Sequence, residues 1–324
     1  MTRTTIRANW IQTITWFNDT VVDWASAGQQ YGLDGSQHQL YKYSFGALDF
    51  NGAICSADGQ YAFIYQKLGT KGLLLKGDIL LREINRSYYY ANVYEWPVAF
   101  VTVDETTYLI HCPKKYCRLD FENVETGEIV TDVPERDPFD FFHSRLEINT
   151  KSTLLMSKGW HWHPFDTIKA YNIKDCIENP LMLDDSALYP ELGTEICTAS
   201  FITGAKVLIG TSDEVFDDEA EDNFPTKHLA IWDIETDEIS NPVKVNGEFG
   251  NLFAIDDDRA WDTYLYPKII RLKTGDIIDK DESFYSGKQN SSIVNEKNLV
   301  QIVFNRDTKQ LAIKGKETID VFTP

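Results

Sequence analysis

The chain is poor in cysteine. Cys55, Cys112, Cys117, Cys176 and Cys197 are the only five among 324 residues, too scattered for a disulfide scaffold, and their odd number leaves at least one thiol unpaired. Free thiols and a cytoplasmic home are therefore expected. Long hydrophobic runs are missing too: Gly72 to Leu75 and Pro97 to Val101 fall far short of the roughly 20 residues of a membrane helix. The opening stretch, Met1 to Phe17, mixes Arg3, Arg7, Asn9 and Gln12 with isolated apolar residues and lacks the apolar core of a secretory signal. Positive charge is also short, with 31 Lys and Arg against 50 Asp and Glu for a net −19. That balance disfavours direct binding of nucleic acid or of an anionic membrane, both of which need basic faces. A field of this sign steers a basic protein or a cation, or serves solubility alone.

Catalytic motifs are absent as well. The sequence contains no Gly-x-Ser-x-Gly, no His-Glu-x-x-His and no EF-hand loop. Gly69-Thr-Lys-Gly72 lacks the full phosphate-loop spacing and precedes a Leu-rich strand, so it reads as a hairpin turn. No nucleophile stands beside a recognisable base. Catalytic residues and cofactors are accordingly not expected.

Short β-rich runs are abundant, among them Tyr61 to Tyr65, Tyr108 to His111, Lys206 to Ile209, His228 to Ile234 and Leu299 to Phe304. Helical periodicity is scarce, and 18 Phe, 16 Tyr and 8 Trp supply residues that suit sheets. One unit recurs, an apolar strand, a polar turn and a second strand: Leu119 to Ile129, Ala230 to Ile239 and Ile270 to Ile278, with weaker copies at Leu81 to Arg86, Ala170 to Ile177 and Phe304 to Leu311. Turns near Arg86, Thr126, Asp175, Thr236, Thr274 and Thr308 stand roughly 34 to 61 residues apart, a spacing that brackets a four-stranded propeller blade. The expectation is an all-β closed β-propeller of six or seven four-stranded antiparallel blades, one domain over 1–324. Its terminal strands are expected to share a blade, with Thr20 to Leu33 as a seventh unit or the closing strand. Asp213 to Asp222 reads as an acidic loop inserted at about 211–226.

The segment Ala230-Ile-Trp-Asp-Ile-Glu-Thr236 resembles the strand end of WD-type repeats at Trp232-Asp233, although the Gly-His element is not evident. The runs Phe142 to Leu146, Leu154 to Asp166, Gly69 to Leu75 and Arg82 to Tyr88 resemble a bacterial group of uncharacterised propeller-like proteins. Both resemblances imply a fold and neither implies a chemistry.

The most unusual local sequence is Gly159-Trp-His-Trp-His-Pro-Phe-Asp166. If extended, it points His161 and His163 to one face and Trp160 and Trp162 to the other. The histidines, with Asp166 or His143 as a third ligand, form a candidate transition-metal site; the alternatives are a partner- or ligand-binding surface and simple packing. Arg82, Arg86 and Tyr88 to Tyr90, with His111 and Arg145, form a second candidate patch, because Arg and Tyr anchor interfaces and Arg receives phosphate or carboxylate. Their alternative is salt bridging between blades, with Asp140 or Glu147. Asp217, Asp218 and Glu219 belong to the acidic loop expected to meet a basic partner.

These readings favour a non-catalytic protein-binding propeller, in its most specific form an immunity-type inhibitor that neutralises a basic toxin or enzyme. The alternative is a metal-dependent or small-molecule-processing enzyme at the propeller axis, using His143, His161, His163 and Asp166.

Overall fold

The computed structural model describes residues 1–45, 48–216, 223–295 and 299–324. Its strands form seven antiparallel sheets, built from the inside outward along the chain except that the first strand supplies the outer edge of the last sheet. Blade I holds β2 (Thr15–Phe17), β3 (Thr20–Asp23), β4 (Gln29–Gly32) and β5 (Gln37–Gln39), while β1 (Thr2–Arg7) belongs to the last blade. Blade II holds β6 (Gly52–Cys55), β7 (Tyr61–Tyr65), β8 (Lys71–Lys76) and β9 (Ile79–Asn85). Blade III holds β10 (Ala99–Val103), β11 (Thr106–His111) and β12 (Asp120–Asn123), with a Glu122–Ile129 bridge in the outer position. In blade IV the inner position is split between β13 (Phe141–Phe142) and β14 (Glu147–Ile148), which both pair with β15 (Leu154–His161). β16 (Phe165–Asn172) follows, then α1 (Ile173–Glu178) and α2 (Met182–Asp185).

Blade V holds β17 (Thr194–Thr203), β18 (Lys206–Val215) and β19 (His228–Asp233), its outer position divided between β20 (Glu238–Ile239) and β21 (Val243–Lys244). Blade VI holds β22 (Leu252–Ala254), β23 (Arg259–Asp262), β24 (Lys268–Arg271) and β25 (Ile277–Lys280). Blade VII runs β26 (Ile302–Phe304), β27 (Leu311–Lys314) and β28 (Thr318–Thr323), and β1 completes it, Thr2 facing Thr323 and Arg7 facing Thr318. This pairing leaves neither terminal strand as an open edge. Thr20 to Leu33 thus lies in blade I, a full blade that brings the count to seven, and the closing strand is Thr2–Arg7.

Middle strands are covered on both sides by neighbouring blades, which is why they read as nearly unbroken apolar runs; all five residues of β7 are buried. Outer strands have one covered face, and Ile79 and Leu80 of β9 are exposed. Each junction between blades carries its own apolar cluster. Val22 and Trp24 meet Ile64 and Leu75 between blades I and II, Met156 and Ile168 meet Ile209 and Trp232 between IV and V, and Ile6 and Ala312 meet Val21 between VII and I. Trp232, the WD-type position, is buried and donates its indole N–H to Asp237 at 3.0 Å.

The recurring turns are not all equivalent. Thr126, Thr236 and Thr274 lie just outside the third strand of their blades, Thr308 joins the two innermost strands of blade VII, Arg86 follows an outer strand, and Asp175 is in α1. Gly275 closes its turn at φ 71° with Lys244 O only 1.9 Å from where a Cβ would stand, a position that accepts only glycine.

Antiparallel strands reverse direction at each step, so successive connections alternate between the two ends of the ring. The links from one blade to the next, and the turns between second and third strands, share one end. There the connection after β25 crosses to the far side. Gln289 donates to Glu95 at 2.7 Å, Ser292 N to Asp166 at 2.9 Å, and Val294 N to Val93 O at 2.7 Å.

Candidate aromatic docking platform

The Trp160–Asp166 turn lies at that same end. β15 stops at His161, so Trp162 and His163 sit in the turn, where His163 has φ 86° and is exposed. The turn breaks the strand alternation that would have put both histidines on one face. The two tryptophans do share a face, with ring centroids 5.9 Å apart. β13 pairs Phe142 with Trp160, and Phe142 then gathers rings from three blades. Tyr116 lies 4.5 Å from it, Tyr89 5.9 Å and Trp162 6.1 Å, while Tyr90 meets Trp162 edge-on at 5.3 Å.

Trp160 and Phe142 form the buried floor, 3% and 0% exposed. Above and around them Trp162 is 47% exposed, with Tyr89 and Tyr90 also open to solvent; Tyr88, next in the chain, is 82% exposed, and exposed Phe139 packs on His161. A shallow depression of about 840 Å³ lies beside the tyrosines, floored by Arg86 and bordered by Pro113 and Lys114.

Arg86 shapes this loop from below. It is buried and donates to the carbonyls of Gly69 (2.7 Å), Ala91 (2.6 Å), Tyr94 (3.1 Å) and Lys67 (3.2 Å), with its guanidinium 4.6 Å from the Tyr94 ring. The hold it gives is needed because Tyr90 has φ 51°, which costs a bulky side chain about 1–2 kcal/mol. Arg86 is thus a positioning residue, and the expected surface role for it does not fit its burial.

The other sequence candidates fall elsewhere. Arg82 pairs with Glu122 at 2.6 Å and donates to the carbonyls of Asn123 and Val124, and His111 binds the second oxygen of Glu122 at 2.8 Å. This is an interblade bridge between II and III, with a different acid from Asp140 or Glu147. His143 is buried against Ser157 at 3.0 Å, and burial with nearby Lys169 pushes its pKa down to about 3. Arg145 faces the axis, remote from Arg82 in contacts. Asp217, Asp218 and Glu219 lie outside the described residues.

Among the described residues no group of three or more His, Cys, Asp or Glu is arranged to hold a metal ion. His143, His161, His163 and Asp166 do not border the axial cavity, so the expected axial metal set is not assembled: Asp166 is turned to Ser292 and His143 to Ser157. All five cysteines are free. No helix among the described residues is long and apolar enough to cross a membrane.

Sequence reasoning did not find the aspartates that end second strands. Buried Asp23 accepts from Gln12 N, Thr13 N and Thr13 Oγ1 at 2.7–3.0 Å, and Asp262 from Gly250 N at 3.0 Å, tying each blade to the link that enters it. The signal was present as an apolar strand ending in Asp before a polar turn, at Val21-Val-Asp23 and Ala260-Trp-Asp262.

These seven blades, closed by a shared terminal blade, define a seven-bladed β-propeller. Among solved structures the chain is similar to one in the crystal structure of a mitotic checkpoint complex, with TM-score 0.59 and 10% identity, over 99% of this chain and 90% of that one. At that identity the likeness shows the fold. No family model matches the sequence, and no curated protein matches it.

Proposed function

We propose that this chain is a cytoplasmic, non-catalytic protein-binding propeller that docks a basic protein, as an immunity-type inhibitor neutralising a bacterial toxin or enzyme would. The observation that carries this reading is the aromatic platform, in which the exposed rings of Tyr89, Tyr90 and Trp162 gather at one end of the ring over the stacked Phe142–Trp160 floor, with exposed Tyr88 next to them in the chain. Tyr and Trp dominate the energetics of protein interfaces because each buries a large area with few rotatable bonds. Their floor holds them before a partner arrives, which lowers the ordering cost of association. The net charge of −19 supplies long-range attraction for a basic surface.

The test starts with the tagged protein as bait in its native cell. The partner is then purified, and its binding is measured by surface plasmon resonance to wild type and to a Tyr88→Ala, Trp162→Ala double variant. The expected result is a loss of about 30-fold or more, equal to roughly 2 kcal/mol, carried by faster dissociation. A partner that binds the double variant as tightly as wild type overturns the platform. An acidic partner overturns the inhibitor reading.

A further inference from the structure

The propeller axis holds a partly open cavity of about 470 Å³, walled by the innermost strands of six blades. One end is roofed by the connection that carries Gln289 and Ser292 across to blades III and IV. At the other end Arg306 of blade VII reaches over to Glu147 of blade IV. Lys67 pairs with Glu95 at 3.0 Å and Lys158 with Glu147 at 2.6 Å. Burial alone would raise both acids, but Lys67 holds Glu95, and Arg306 with Lys158 hold Glu147, at pKa values of about 2. Both carboxylates are therefore ionised and already matched.

Arg145 is the cavity cation without a direct ion pair, although its charge acts on the buried carboxyls of Asp166 and Glu95. Its Nη2 donates to Cys197 O at 3.1 Å and to Ser292 Oγ at 2.8 Å, whereas Nε and Nη1 are shut off from solvent and bonded to nothing. Among the described residues no carboxylate forms an ion pair with it. Asp166 shares Ser292 with it, accepting the backbone N–H at 2.9 Å. The cavity wall thus holds four cations, Lys67, Arg145, Lys158 and Arg306, against two carboxylates, Glu95 and Glu147, for a local excess of two in a chain of net −19.

A buried guanidinium with empty donors carries a desolvation cost that an anionic oxygen would remove. Guanidinium suits carboxylate and phosphate oxygens better than ammonium does. The remaining wall combines the flat apolar rings of Trp96, Phe253 and Phe304 with polar Asn251, Gln289 and Gln301. The volume falls within the range of small-molecule sites, which combine apolar walls with a few directed polar groups.

We propose that the axial cavity binds a small organic anion, a carboxylate or phosphate monoester on a flat apolar body, recognised by the Arg145 guanidinium. The site is separate from the aromatic platform, and neither proposal depends on the other. Calorimetric titration of the full chain with phenyl phosphate, benzoate and benzylamine tests it. Saturable one-to-one binding of phenyl phosphate or benzoate is expected, with benzylamine at least 10-fold weaker. The stronger of the two anions identifies which oxyanion the site prefers. Arg145→Gln should weaken the anion at least 10-fold, while Lys273→Gln on the outer surface leaves it unchanged. If Arg145→Gln does not fold, crystals of the wild-type protein soaked in tungstate replace it, and an anomalous peak within hydrogen-bond reach of Arg145 is expected. The proposal is overturned if neither anion binds, if benzylamine binds equally well, if folded Arg145→Gln binds as wild type does, or if tungstate is absent from the axis.

Discussion

Trp160 lies flat on Phe142, with ring centroids 3.8 Å apart and planes 4° from parallel. The pair joins adjacent strands of blade IV and supports rings contributed by blades II and III, so Trp160 serves stability where the sequence suggested a contact residue. Trp160→Ala should destabilise the fold by about 3–5 kcal/mol, the usual range for a buried Trp. Trp162→Ala, at a half-exposed position, should cost under about 1 kcal/mol. Urea denaturation of both variants is the measurement, and equal losses would contradict the division between floor and surface.

Gly159 allows the floor to exist. A Cβ there would stand 2.1 Å from Phe142 O and 2.6 Å from the Phe141 ring, so Gly159→Ala must push β13 away from β15. A loss of about 1–3 kcal/mol is expected from overpacking. The loss of the Phe142–Trp160 stack should also appear as a changed near-ultraviolet circular dichroism signal. A variant with wild-type stability and spectrum would show that the strands can separate at no cost.

Glu195 gives the protein a pH dependence of defined sign. Burial, reinforced by Asp166, pushes its carboxyl up to about 7. An acid raised in the folded state holds its proton more tightly there. Its contribution is complete below the unfolded value of about 4.3 and is lost as pH rises through 7. Glu195→Gln keeps an acceptor for Asp166 N, now 2.7 Å away, and removes the ionisation. The variant should gain on wild type by about 1–2 kcal/mol between pH 5 and pH 8. Low-pH losses from His143, Glu95 and Glu147 are common to both proteins and cancel in the difference. Chemical denaturation at the two pH values checks this, and a constant difference would refute it.

The acidic loop should act on encounter more than on residence. Neutralising Asp217, Asp218, Glu219 and Glu221 together to their amides should slow association with a basic partner and flatten its salt dependence. Exposed charges act over about 8 Å at physiological ionic strength. Dissociation should stay within about twofold, because rim charges chiefly set the on-rate. Association rates measured across a salt series decide it, and a rate indifferent to both salt and the substitutions would remove electrostatic steering.

The fold was legible because blade strands announce themselves locally. Tyr61 to Tyr65 and Lys206 to Ile209 read as strands and are strands. Blade number stayed open between six and seven because turn chemistry marks any tight reversal and does not identify which one. Thr308 joins inner strands whereas Thr126 and Thr274 lie outside third strands. For the platform, alternation placed Trp160 and Trp162 on one face correctly. It could not show that the strand ends at His161, nor that Phe142 would cover Trp160. Arg86 and Arg82 misled because an arginine bound to carbonyls or to a neighbouring blade has the same letter as one waiting for a ligand.

The pairing of β1 with β28 sets an order of assembly. During synthesis at about 10 residues per second, the first strand waits roughly half a minute before Thr323 exists to receive Thr2. Through that interval β1 has little to hold it, since Ile6 is its only buried residue. Blades I to VI can meanwhile stack on one another, each through its own junction. Blade VII is then finished by recruiting a strand made before all the other blades, and the ring becomes a ring only at that last step. Until then the sides of blades I and VII that will face each other remain uncovered, and a second copy of the nascent chain offers the same unpaired β1 to the edge of β28.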